Sequence, residues 1–342
     1  MNKKALSLLA VVALGSFAGC GNTNTSSSSS SAPAPAKKYS VGLGYDASFQ
    51  TKGQLDVTTA FAAFDEEGKI YDVRFDVVQV KFAANEAKDG LALTNKNVDA
   101  DYSVTSKLEL GLGYNMLGSS AIGKECDEQI EAFANWCAGK TVEEVIAGTP
   151  GAGHGEAINE ELATSVTIGV DAFESALQNA FATKTAATYE LTGTAGVAMV
   201  SGLAYNYGKP TKEIDVTVAG AIAKDGKIEA ALFDSIITPV AIAEDGTLDL
   251  DTASKYVVEG KVASKKTLGD AYAMRPASPI GAEWDEQALV IEAAVVGLTA
   301  AEVTTLVAGE GALAGATMTV TTYLKAIAKA TTYAEKTVIA AR

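Results

Sequence analysis

The sequence predicts an α+β fold written twice. Three observations predict it: strand-like alternation on either side of Gly turns, helical stretches with apolar residues at i, i+3, i+4 and i+7, and an internal repeat at a shift of 158 residues. Between Thr105 to Gln129 and Ala263 to Gln287, 13 of 25 positions are identical, where composition alone would give about two. Ser106, Lys107, Gly111, Tyr114, Glu125 and Gln129 are among them. The length of 342 residues suits two domains of ~150 residues each.

In chain order, residues 1–19 read as a signal peptide, with Lys3 and Lys4 followed by an apolar run from Ala5 to Phe17. That run is too short for a span of ~20 helical residues. Phe17-Ala18-Gly19-Cys20 resembles the bacterial lipobox, which implies an acylated Cys20 at the mature N-terminus. Residues 20–38, with six serines at 26–31 and an Ala-Pro run, have too few apolar groups to offset chain entropy and read as a disordered tether. The expected location is the extracytoplasmic face of the bacterial cell membrane, held by lipid. Charge gives no help there, because the formal charge of −15 becomes −17 once Lys3 and Lys4 are removed. The same acidic balance argues against nucleic acid as a partner.

Residues 39–185 form the first copy. Leu55 to Phe64 and Ile70 to Val80 flank the Gly68 turn as a hairpin. A helix is predicted from Ser120 to Ala138, with Ile130, Phe133, Ala134 and Cys137 on one face. A short helix starts near Thr141, and another runs from Asp171 to Phe181 with Phe173, Ala176, Leu177 and Ala180 inward. The second copy, residues 186–342, repeats the hairpin at Ile214 to Ala223 and Ile228 to Ile237. Cys126 and Cys137 fall three turns apart on one helix, ~16 Å by helix rise. A disulfide needs less than ~7 Å, so both read as small buried hydrophobes. Trp284 and Val295 at the matching positions agree with that reading.

Ala314-Gly315-Ala316-Thr317-Met318-Thr319, opening the expected terminal helix, resembles the Ser-Gly-Ala-Thr-x-Thr motif of the FMN-binding domain. That domain occurs in flavin subunits of sodium-translocating NADH:quinone reductase and in Gram-positive flavin lipoproteins with tandem copies. The resemblance implies two FMN-binding-like domains, with FMN joined by a phosphoester to Thr317 and with Gly315, Ala316 and Thr319 beside it. The first copy carries Ser165-Val166-Thr167 at the same place, making Thr167 the weaker second candidate and placing Val166 where it would crowd a phosphate. A helix N-terminus favours phosphate through free N–H groups and its dipole, and glycine permits close approach.

The resemblance further implies a flavin transferase as a partner, and electrons passing from a membrane dehydrogenase or quinone to an extracellular acceptor. Electron transfer is then a better description than enzymatic turnover. The alternative is a non-redox surface lipoprotein on a degenerate version of the same fold, ligand-binding or structural. Ser106-Lys107 and Ser264-Lys265 admit two readings, a phosphate or carboxylate contact beside the Tyr114 and Tyr272 rings, or a capped loop with a packed tyrosine; the second is the plainer. Glu125, Asp127 and Glu128 point to different helix faces, which suits a solvated surface better than a hard-cation site. His154, the sole histidine, lies in a Gly-rich insertion, so histidine-based catalytic or metal sites are excluded. Gly111-Leu112-Gly113 misses the dinucleotide spacing and lacks a βαβ frame.

Overall fold

The computed structural model describes residues 37–100, 103–149, 158–206, 208–334 and 336. The expected signal peptide, the expected lipidation site Cys20, nearly all of the expected tether, and the insertion with His154 lie outside the described residues. The fold is α+β, with antiparallel sheets and separate helices.

The first sheet has the order β1-β2-β3-β4, built from β1 (Ser40–Gln50), β2 (Gln54–Phe64), β3 (Ile70–Ala84) and β4 (Leu91–Leu93), all neighbours antiparallel. The β2–β3 ladder pairs Leu55 with Val80, Val57 with Val78 and Ala60 with Phe75, so alternation puts one apolar set on each face. Helices α1 (Lys107–Leu110), α2 (Cys126–Cys137), α3 (Val142–Ala147) and α4 (Asp171–Ala182) follow. Ala60, Ala62, Phe64 and Phe75 pack under α2, α3 and α4 as one core. Thr141 caps α3 through the Glu144 N–H, and Glu144 reaches back to the Thr141 N–H.

The rest of the chain has the same order of parts. Strands β5 (Thr194–Leu203), β6 (Glu213–Lys224), β7 (Lys227–Ile242) and β8 (Leu248–Leu250) form a second sheet in the order β5-β6-β7-β8. Helices α5 (Lys265–Leu268), α6 (Trp284–Ala294), α7 (Ala300–Val303) and α8 (Thr321–Ala334) come after it. Ala219, Ala221, Phe233, Trp284 and Ile327 belong to the core beneath these helices.

The other faces of the two sheets meet. Leu55, Val57, Val78 and Val80 of the first sheet share a buried cluster with Ile214, Val216, Val218 and Ile236 of the second. A further cluster joins Val41, Phe61 and Ala63 to Ala195, Val197 and Ile222. The layers therefore run helices, sheet, sheet, helices, and the described residues from Lys37 onward form one compact unit.

Two sequence expectations change here. The helix predicted from Ser120 begins only at Cys126, because the Glu125 carboxylate accepts N–H bonds from Met116 and Leu117 and holds residues 116–125 as a loop. The acidic cluster is not a solvated surface: Glu125 and Asp127 are buried, as is Glu283 in the second half.

Candidate functional site

Each candidate threonine lies on a loop docked against a helix by one glutamine. In the second half, Gln287 of α6 presents Oε1 to the Thr317 N–H at 2.7 Å, the Met318 N–H at 3.2 Å and the Thr317 hydroxyl at 3.3 Å. Its Nε2 donates to Ser278 Oγ and to the Ala282 carbonyl, both at 3.2 Å. In the first half, Gln129 of α2 takes the Thr167 N–H at 2.7 Å, the Ile168 N–H at 3.2 Å and the Thr167 hydroxyl at 3.3 Å. Its Nε2 donates to Ser120 Oγ and the Lys124 carbonyl. Both glutamines are fully buried, so these bonds satisfy groups that water cannot reach.

This arrangement differs from a helix-end phosphate cradle. Helices α4 and α8 start at Asp171 and Thr321, four residues beyond the respective threonines. The N–H groups at each threonine already bond the glutamine oxygen. Val166 and Ala316 are wholly buried in the two helix-side cores, so Val166 faces inward and does not crowd the loop. A Cβ on Gly315 would lie 3.2 Å from Val290 Cγ2, a tight contact that the Val290 side chain would have to ease. Ser165 donates its hydroxyl to the Leu162 carbonyl at 3.2 Å. The two loops diverge in exposure: Thr167 is buried at 9%, whereas Thr317 is partly exposed and Thr319 exposed.

A second set of repeated groups lies below these loops. Glu125 Oε1 and Oε2 accept from Met116 N at 2.7 Å and Leu117 N at 3.1 Å, and Glu283 does the same for Met274 at 2.7 Å and Arg275 at 2.9 Å. Asp76 of β3 accepts from the Val77 N–H at 2.7 Å and from the Leu108 N–H of α1 at 3.1 Å. Asp234 of β7 holds α5 similarly, through Ser235 at 2.8 Å and Lys266 at 3.2 Å. Burial pushes the Asp76 carboxyl up to about 7, and burial raises Asp234 as well. The sequence reading missed both acids. Phe75-Asp76 and Phe233-Asp234, the same pair in the middle of two apolar strands, was the available signal.

The repeated lysines have different surroundings. Lys265 is buried, donates to Tyr323 Oη at 3.1 Å, and lies 5.4 to 5.6 Å from the ring centroids of Trp284, Tyr272 and Tyr323. Burial opposes its charge, but Tyr323 and Asp215 outweigh burial and keep the ammonium above the ordinary lysine range. Lys107 is only partly buried and sits 4.8 Å from the Tyr114 ring centroid. Cys126 and Cys137 are free and buried, as read from the helix spacing, and burial pushes the Cys126 thiol up to about 11. Among the described residues no group of three or more His, Cys, Asp or Glu side chains is placed to hold a metal ion, and no helix is long and apolar enough to cross a membrane.

Comparison with known proteins gives one partial likeness. A stretch of 122 residues is 31% identical to a chlorophenol reductase of Desulfitobacterium hafniense, covering 32% of this chain and 37% of that protein's length. No family model matches the sequence, and no solved structure matches the fold.

Proposed function

We propose that this chain is a lipid-anchored, extracytoplasmic electron carrier made of two FMN-binding-like units, with FMN esterified to Thr317. The observation that carries the proposal is the Thr317 loop itself: a partly exposed threonine in the resembling motif, on backbone fixed by Gln287. The residues suit a phosphoester better than a backbone cradle. Replacing the hydroxyl hydrogen of Thr317 by phosphorus gives up only the 3.3 Å bond to Gln287, while the two N–H bonds stay in place. When bound, the flavin supplies the redox chemistry, and the protein supplies position and surroundings.

The first unit plays a different part. Thr167 is buried, so its loop serves to dock α2 against the segment before α4. The likeness to part of a chlorophenol reductase is in keeping with a redox role, although its extent sets neither substrate nor partner. On this reading the flavin is loaded by a flavin transferase, and electrons arrive from a membrane dehydrogenase or quinone and leave to an extracellular acceptor. The long tether after Cys20 would give the carrier reach between them.

The test is co-expression of the full-length chain with a flavin transferase, read by intact mass and in-gel fluorescence. The expected product gains the mass of FMN less one water, loses it in Thr317→Ala and keeps it in Thr167→Ala. A chain that gains no flavin in that co-expression refutes covalent attachment and favours the non-redox lipoprotein.

A further inference from the structure

We propose that the first half also binds a small multivalent oxyanion, a phosphate ester or polycarboxylate, in the pocket between β3, the segment after β4, and α1. The pocket has a volume of about 460 Å³ and is lined by Lys81, Lys96 and Lys107, with Gln79, Asn95 and Tyr114 among the other lining residues. This site is separate from the threonine loops, and the proposal holds whether or not a flavin is attached.

Charge is the first argument. The chain has a net charge of −15, yet three lysines line this cavity and no carboxylate residue does. Among the described residues none of these lysines makes an ion pair. Asp56, opposite Gln79 in the β2–β3 ladder, is bonded by Gln50 at 2.7 Å and Gln54 at 2.8 Å and stays outside the lining. Neighbouring ammonium groups repel one another, and an anion with two or three charges removes that repulsion.

Rigidity is the second argument. Asn95 Oδ1 accepts the Lys81 N–H at 2.6 Å, and Asn95 Nδ2 donates to the Gln79 carbonyl at 2.9 Å. Asn97 Nδ2 donates to the Thr105 carbonyl at 2.9 Å. The backbone carrying the lysines is therefore fixed before any ligand arrives, which lowers the ordering cost of binding.

The second half supplies a contrast. The residues 158 positions beyond Gln79 and Lys81 on the matching strand are Ile237 and Pro239, which carry no amide or ammonium side chain. Lys255, in the segment after β8, donates to the Tyr272 carbonyl at 2.6 Å and lies 4.5 Å from the Tyr272 ring centroid. In that half the strand lacks the lysine and the nearby Lys255 is engaged by Tyr272, so oxyanion binding belongs to the first half.

Calorimetric titration of the full-length chain in detergent with pyrophosphate and with citrate tests the site. At least one anion should bind with Kd below about 1 mM, and Lys81→Gln with Lys107→Gln should weaken it at least about tenfold. Lys96→Gln should weaken it to a lesser degree, Lys227→Gln in the other half should leave it unchanged, and added salt should reduce affinity. Binding of pyrophosphate alone assigns a phosphate-type ligand, and binding of citrate alone assigns a polycarboxylate. Lys81 and Lys96 are exposed, so an unaltered thermal melt of their variants without anion establishes that the fold is kept. Absence of binding by either anion, or binding that survives the double substitution, overturns the proposal.

Discussion

One identical position has the same job in both halves. Gln129 and Gln287 each gather two N–H groups and a hydroxyl on one oxygen, and only a carboxamide can do this while donating from its nitrogen to a second loop. Gln287→Ala should therefore leave the N–H groups of Thr317 and Met318 without that acceptor, at about 1–3 kcal/mol for each one that water cannot reach. Denaturant unfolding reads the loss directly. Asp76 gives a pH signature. Its folded carboxyl titrates near 7 against an ordinary value of 3.8, so the native state retains a proton that the unfolded chain releases. Stability should then fall as pH rises from about 4 to about 7. Asp76→Asn keeps an acceptor for Val77 and Leu108 and should flatten that slope, as measured by urea midpoints across the window. A residual slope of the same sign should remain, because Asp72, Asp215 and Asp234 are also raised by burial.

The elements were legible wherever side-chain periodicity controls them. Both hairpins and the α3 and α4 helices stand where alternation and the i, i+3, i+4 pattern put them, with ends extended by a few residues. Strand β1 escaped detection because its sequence answers to a neighbouring helix. Gly42 and Gly44 lie directly under α4, and a Cβ on either would collide with the backbone of Ala180, or of Ala176 and Ala180. Two glycines in a strand weaken the pattern that reveals strands, yet here they are what lets the helix approach. Gly44→Ala should push α4 off the sheet and destabilise by about 1–3 kcal/mol in chemical denaturation. The start of α2 was illegible for another reason. A buried Glu125 that caps a helix and holds a loop has the same sequence appearance as an acidic first turn in water.

At the scale of the molecule, the two sheets are joined by a shared apolar interior and by ties between the halves. Val104 donates its N–H to the Ser201 carbonyl at 2.9 Å, extending the β5 edge with a residue from the first half. In the other direction, Tyr45 Oη accepts from the Ser264 N–H at 2.7 Å and donates to the Val262 carbonyl at 3.1 Å. Lys329 of α8 pairs with Glu109 of α1. The internal sequence repeat predicts two similar halves, but which faces they turn to each other depends on complementary shapes that periodicity does not encode. Phe61 is fully buried, and its ring occupies the space where Gly220 of the other sheet would carry a Cβ. Gly220→Ala should separate the sheets locally and lower stability by about 1–3 kcal/mol, seen as a reduced melting temperature.

The central claim is that one of the two threonine loops carries a flavin and the other carries only structure. Peptide mapping by mass spectrometry of the full-length chain, produced together with a flavin transferase, tests it most directly. The account predicts FMN on the peptide containing Thr317 and an unmodified peptide containing Thr167. Flavin on Thr167 with Thr317 unmodified, or no flavin on either peptide, would contradict it.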